Sequence, residues 1–167
     1  MKMMRHSLAL SCLVVTQLAC ADITVPMFAT TDQGFGQSVG SVLIQATKDG
    51  LLLTPDLHGL SPGPHGFHIH QTPSCADNGM AAGGHFDPQK TAKHRGPFSD
   101  QGHLGDLPVL MVNADGSVKT PVLAPRIKDL STIAHKSLMV HEGGDNYSDT
   151  PEKQGGGGGR MDCGIIP

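Results

Sequence analysis

Residues 65–70, His-Gly-Phe-His-Ile-His, are the stretch that most strongly constrains the fold. Successive side chains of a β-strand point to opposite faces, so His68 and His70 should share one face while Phe67 and Ile69 share the other. The apolar pair predicts a packed core on one side of the strand. The histidine pair predicts a polar site on the other side.

A second segment, Leu138-Met139-Val140-His141, follows the same design. Leu138 and Val140 are predicted to point into the core, and His141 to point away from it. Both segments therefore place histidines on the outer wall of a sheet or barrel, beneath whichever loops cover that wall.

Short apolar segments between turn residues account for most of the remaining chain. The 22 glycines, 12 prolines and 4% aromatic residues are typical of many short strands joined by turns. We predict an all-β fold, a β-sandwich or flattened barrel. The candidate strands are 23–28 (an edge strand carrying Pro26), 39–46, 51–57, 65–70, 107–112, 117–120 and 138–141, with a glycine-rich turn at Gly34 and Gly36.

Two long segments, about 71–105 and 142–159, lack a strand pattern. Loops of this length within one compact domain are usually functional. Five consecutive glycines at 155–159 do not indicate a phosphate-binding loop, because no Lys-Ser or Lys-Thr pair follows them. We expect a flexible surface turn there.

Residues 1–21 are predicted to be a cleaved secretory signal peptide, which leaves 22–167 as the mature domain. A basic start with Lys2 and Arg5 precedes an apolar run at 8–18 that is too short to span a bilayer, and Ala19-Cys20-Ala21 fits a cleavage site. Three alternatives stay open: an N-terminal membrane anchor, a buried helix, and lipid attachment at Cys20.

Cleavage after Ala21 would leave Cys75 and Cys163 as the two cysteines of the mature chain. Exported proteins fold in an oxidising compartment, so this pair predicts one disulfide. Two free buried thiols are the alternative. The formal net charge of −3 and the lack of a basic run argue against nucleic acid as a partner.

Further candidate metal ligands lie between the two histidine-bearing strands. Imidazole binds both copper and zinc, and aspartate readily joins histidine on zinc. A histidine-rich metal buffer would instead show tracts of histidine at the surface. The additional candidates are His85, His94, His103 and Asp106, whereas His58, His65 and His135 are expected to be structural or surface residues.

Together these motifs resemble the bacterial copper,zinc superoxide dismutases. The resemblance is carried by 65–70, Gly83-Gly84-His85-Phe86-Asp87-Pro88, Gly105-Asp106-Leu107-Pro108 and Gly159-Arg160-Met161-Asp162-Cys163-Gly164, and it runs from about Ile23 to the end. It implies a Greek-key β-sandwich or flattened eight-stranded barrel, and periplasmic location. It also implies disproportionation of superoxide to dioxygen and hydrogen peroxide by one-electron cycling of copper.

The resemblance further implies a role for each candidate residue. His85 would bridge the two metals and carry a proton, Asp145 would link His68 to His94, and Arg160 would guide the anion, helped by Lys136 and Lys153 and opposed by Glu142. The copper ligands implied are His68, His70, His85 and His141, and the zinc ligands are His85, His94, His103 and Asp106.

The partner expected from this resemblance is the superoxide anion, with no membrane partner for the mature form. A homodimer and a monomer both stay open. The alternative function is a copper-binding or copper-delivering protein with the same fold, which would need the ligands without Arg160. A purely structural β-sandwich would need neither the metal ligands nor Arg160.

Overall fold

This computed structural model describes residues 22–167, which contain nine β-strands. The predicted signal peptide and Cys20 lie outside these residues. Between 22 and 167 there is no α-helix, and no helix is long and apolar enough to cross a membrane. The strands are β1 (Ile23–Thr31), β2 (Gly34–Thr47), β3 (Gly50–Leu57), β4 (Gly63–His65), β5 (Phe67–His70), β6 (Leu110–Val112), β7 (Val122–Ala124), β8 (Ser137–His141) and β9 (Arg160–Ile165).

Seven of these strands form one antiparallel sheet in the order β5-β8-β9-β1-β2-β3-β7, and β4 pairs with β6 in a second, two-stranded sheet. The last strand thus returns after a long excursion to lie beside the first, as in a Greek key. The predicted all-β fold class is confirmed. Its consequence for the site is that β5 and β8, which carry three of the candidate histidines, are neighbours.

The predicted single strand 65–70 is divided in two at Gly66. The backbone N–H of Gly66 donates to Gly143 (2.8 Å), and its carbonyl accepts from His141 (2.8 Å). Because these bonds tie Gly66 to β8 and the loop after it, β4 and β5 enter different sheets. One predicted strand thus becomes two, and the described residues have nine strands where the resemblance implied eight.

Two strand predictions near the middle of the chain need correction. The predicted strand 117–120 forms only a bridge between Val118 and Leu57, and the partner of β3 is β7, which is too short to carry a clear pattern. The predicted strand 107–112 shrinks to β6, since Pro108 has no N–H to donate.

The ends of the chain differ from expectation as well. The glycine-rich segment expected to be a turn is the start of β2, and the turn lies at 32–33. The C-terminal segment 160–165, for which no strand was predicted, is β9. The two long loops also contain short 3-10 helices, Met80–Ala82 and Lys153–Gly156, and a third, Leu130–Ile133, precedes β8.

The core lies on the side of β5 and β8 that the alternation predicts. Phe67, Ile69, Leu138 and Val140 are fully buried members of one large apolar cluster. On the opposite face, Met139 packs with the disulfide in a small second cluster. The predicted Cys75–Cys163 disulfide is present, and it ties the loop after β5 to β9 across 88 residues of sequence.

Candidate metal centre

Three candidate ligands come from the outer face of β5 and β8. His68, His70 and His141 point away from the apolar core, yet each is at most 5% exposed because the long loops cover them. These three histidines thus lie where the alternation places them, on the outer wall and beneath the loops. Strand pairing sets the spacing, since Phe67 lies opposite Val140 in the ladder.

The loop ligands are brought to this wall by backbone hydrogen bonds to β5. Phe86 N–H donates to the carbonyl of Ile69, and Ile69 N–H donates to Gly105, both at 2.8 Å. These bonds place His85 and Asp106 beside the strand. A side chain at position 105 would collide with the backbone of Ile69 and Phe86, so only glycine fits this close approach.

The side chains gather into two sets that share one residue. In each set the potential ligand atoms all lie within 4.8 Å of one another. We call them the first set and the second set. The first set is His68, His70, His85 and His141, and the second set is His85, His94, His103 and Asp106. These are the groupings that the family resemblance implies.

The chemistry of the donors fits metal ions. His68 Nδ1 and His85 Nε2 are buried and have no hydrogen-bond partner within the protein. Their other ring nitrogens are engaged, by Asp145 (2.7 Å) and Asp106 (2.9 Å) respectively. A buried polar atom without a partner is destabilising, and a metal ion would supply the missing partner.

Asp145 connects the two sets, as expected. Its Oδ2 lies 2.7 Å from His68 Nε2 and its Oδ1 lies 2.7 Å from His94 Nε2, with the carboxylate fully buried. A carboxylate accepts N–H groups, so the Nε2 atoms of both rings carry a proton, and on the neutral ring of His68 this leaves the lone pair of Nδ1 for a metal. His70 is oriented in the same way by the carbonyl of Gly83, 2.9 Å from its Nδ1.

The charge states of the two sets differ. Burial lowers the pKa of His68 and His70 well below the usual value and that of His141 to about 4, so these rings are neutral at physiological pH. At His94, burial is outweighed by hydrogen bonds with Asp106 and Asp145, which raise the pKa to about 9. A metal entering the second set must therefore displace a proton from His94.

Comparison with known proteins identifies the family. The family model for "Copper/zinc superoxide dismutase (SODC)" matches residues 38–166. The chain belongs to this family. Cu-Zn superoxide dismutase 2 of Salmonella typhimurium is 53% identical over 170 residues, covering 94% of this chain and 98% of the relative.

Solved structures of copper,zinc superoxide dismutases have the same fold as this chain. The Cu/Zn superoxide dismutase from Brucella abortus superposes with a TM-score of 0.84 at 48% identity, covering 88% of this chain and all of that one. The monomeric copper, zinc superoxide dismutase from Salmonella enterica gives a TM-score of 0.78 at 54% identity, with the same coverage. The sequence resemblance to copper,zinc superoxide dismutases is confirmed.

Arg160, the residue expected to guide the anion, lies next to the first set and lines an open cavity. It pairs with His141 across β8 and β9. Its two terminal nitrogens donate to the carbonyls of Gly79 (2.6 Å) and Gly83 (2.7 Å), which fixes the guanidinium in place. The cavity is about 500 Å³, and Glu142 also lines it.

The two lysines expected to assist Arg160 lie elsewhere. Lys136 stacks on Phe86, with its ammonium 5.1 Å from the ring centroid. Lys153 lines a different cavity, beside His103. Neither is among the residues that line the Arg160 cavity.

Two residues support the site through contacts that the sequence does not predict. His65, expected to be structural or a surface residue, is buried, and its ring nitrogens lie 2.6 Å from the carbonyl of His141 and 2.7 Å from that of Ser61. Arg126 donates to the carbonyl of His103 at 2.8 Å. The contacts of His65 with the His141 carbonyl and of Arg126 with the His103 carbonyl join residues far apart in sequence, so no short sequence motif predicts them.

Proposed function

We propose that this chain disproportionates superoxide, converting two superoxide anions and two protons into one dioxygen and one hydrogen peroxide. The observation that carries the proposal is the position of His85 in both sets, with one ring nitrogen turned toward each. A shared imidazole of this kind suits a redox metal held beside a non-redox metal.

The donor types support copper in the first set and zinc in the second. Four imidazoles suit copper, while three imidazoles and a carboxylate suit zinc. Copper supplies reversible one-electron transfer when bound, and zinc supplies none. Copper would be held by His68, His70, His85 and His141, and zinc by His85, His94, His103 and Asp106.

His85 is the residue assigned to proton transfer. Its Nδ1 faces the second set, 2.9 Å from Asp106, and this contact fixes the ring. Its Nε2 faces the first set without a hydrogen-bond partner. Nε2 is therefore the atom that takes up a proton and returns it as peroxide forms.

Arg160 is assigned to the substrate. Its guanidinium is a cation held in place by backbone carbonyls, on the residue that pairs with the first-set residue His141, and it attracts and hydrogen-bonds the superoxide anion. Glu142, in the wall of the same cavity, opposes this attraction. Because Lys136 and Lys153 do not line the cavity, we assign the local attraction to Arg160 alone among the three cations.

We further propose that the enzyme acts in the periplasm as residues 22–167, after removal of the signal peptide. The basic start and apolar run of residues 1–21 support export. The disulfide supports an oxidising compartment.

The test is elemental analysis and a superoxide assay on purified, metal-loaded protein. We expect one copper and one zinc per chain with rapid turnover. His141→Ala should lose copper and activity but retain zinc, because His141 belongs to the first set only. Copper binding without turnover would contradict the proposal and indicate a copper-delivering protein instead.

A further inference from the structure

Tyr147 lies against the segment that carries most of the second set. It is the only tyrosine of a chain without tryptophan, and it stands in the loop after β8. Its ring covers Gly96, two residues after His94: a Cβ atom placed on Gly96 would be 2.6 Å from Tyr147 Cγ. The ring therefore occupies the space of a side chain at position 96.

The phenol reaches the far end of the same segment. The backbone N–H of Val109, three residues after Asp106, donates to the Tyr147 hydroxyl at 3.0 Å. One side chain thus contacts both flanks of residues 94–109, which we call the His94–Val109 segment. Contacts at both flanks restrain the separation of His94 and Asp106.

The backbone of Tyr147 acts on Asp145. Its N–H donates to Asp145 Oδ1 at 2.7 Å, the same oxygen that accepts from His94 Nε2. Tyr147 has a φ of 56°, in the left-handed region that a tyrosine seldom adopts. Such a conformation persists when surrounding contacts hold it, and here they are Gly96 and Val109.

We propose that Tyr147 is a positioning residue that clamps the loop after β8 onto the His94–Val109 segment and thereby keeps Asp145 between His68 and His94. The inference rests on the proposed function, because that function assigns the two sets to copper and zinc. If the proposal holds, the orientation of His68 depends on how Tyr147 packs against the His94–Val109 segment. Loss of the ring should loosen zinc and disturb the copper geometry together.

The experiment measures zinc release from copper,zinc-loaded protein to a chromogenic chelator. Tyr147→Leu removes the ring, and Tyr147→Phe removes only the hydroxyl. Phe98→Leu is the matched control, since Phe98 lies in the same segment but is 74% exposed. We expect release about tenfold to a hundredfold faster in Tyr147→Leu, about threefold to tenfold faster in Tyr147→Phe, and unchanged in Phe98→Leu.

Two further readouts separate positioning from general stability. The electron paramagnetic resonance spectrum of copper should change in Tyr147→Leu and be restored in Tyr147→Phe, because His68 shifts only when the ring is lost. In the parent, zinc added to metal-free protein should change the tyrosine emission, which comes from Tyr147 alone. Parent-like zinc release and copper spectrum in Tyr147→Leu would overturn the inference.

Gly96→Ala tests the same contact from the other side, and also covers the case in which Tyr147→Leu does not fold. The added methyl displaces the ring, so zinc release should accelerate. In the double variant the two effects should be less than additive, whereas full additivity would contradict the contact. Zinc release requires no turnover, so these outcomes are independent of the superoxide assay that tests the proposed function.

Discussion

Single residues show how well the chemistry could be predicted and where prediction failed. The family resemblance, carried by short motifs of distinctive residue types, assigned all seven proposed metal ligands together with Asp145 and Arg160, and the seven lie in two compact sets. The contacts made by His65, Arg126 and Tyr147 were not predicted. Their partners are backbone atoms and a glycine surface, which become neighbours only after folding.

Arg160 gives the first prediction at this scale. Arg160→Ala should keep both metals, because a guanidinium has no lone pair to donate to a metal, and should lose about tenfold or more in rate. Arg160→Lys should retain more activity than Arg160→Ala, since lysine keeps the positive charge and lacks only the planar pair of N–H donors of the guanidinium. The measurement is initial rate together with metal content.

Salt dependence provides the control for that prediction. Exposed charges are screened over about 8 Å at physiological ionic strength, so the rate of the parent should fall as salt rises. The slope should be shallower in Arg160→Ala. Equal slopes with full activity would assign the attraction to other cations.

Asp162 gives the second prediction. It is 2% exposed, its Oδ2 has no hydrogen-bond partner, and burial raises its pKa from 3.8 to about 6, against the opposing influence of His65. An acid with a raised pKa binds its proton more tightly when folded, so the ionised form destabilises the folded state as pH rises through this range. The neutral variant Asp162→Asn removes that effect.

The free energy of unfolding of Asp162→Asn should therefore exceed that of the parent by an amount that grows with pH. We expect a difference of about 3 kcal/mol above pH 7 that shrinks as pH falls toward the ordinary pKa of aspartate. Urea unfolding of both proteins across this range is the measurement. A difference that is independent of pH would show that Asp162 does not titrate in this window.

Among the elements, strands with strict alternation were predicted reliably and short ones were not. Both β5 and β8 followed from apolar and histidine residues on alternate positions. The three-residue β7 is too short to show an alternating pattern of apolar and polar residues. The residues of β9 belong to the motif that contains Arg160 and Cys163, which indicated a functional role and no strand. The break at Gly66 depends on Gly143, which lies far away in sequence.

The disulfide is the element-scale prediction. It closes a loop of 88 residues between Cys75 and Cys163, which on the chain-entropy model stabilises the fold by about 4 kcal/mol. Replacing both cysteines with alanine should lower the free energy of unfolding by about this amount. The reduced parent is the control and should match the variant, while a loss below about 1 kcal/mol would show that the metals and core suffice.

At the scale of the whole molecule, the chain should exist as an exported, processed protein. Mass spectrometry of protein purified from its native cells should find Asp22 at the N-terminus, because Ala19-Cys20-Ala21 fits a cleavage site. A lipid mass on Cys20 would instead place the protein on a membrane. Retention of residues 1–21 would contradict both routes.

The backbone bonds between β5 and the loop also protect the protein from self-association. β5 ends the seven-stranded sheet, and an open sheet edge is a template for pairing with another chain. Here the backbone of Ile69 bonds instead to Phe86 and Gly105, so the ligand-bearing loop occupies the edge where another strand could pair.

Metal removal that loosens this loop should expose the edge of β5. Light scattering should then rise in concentrated metal-free samples and return to baseline on remetallation; equal scattering with and without metals would contradict this.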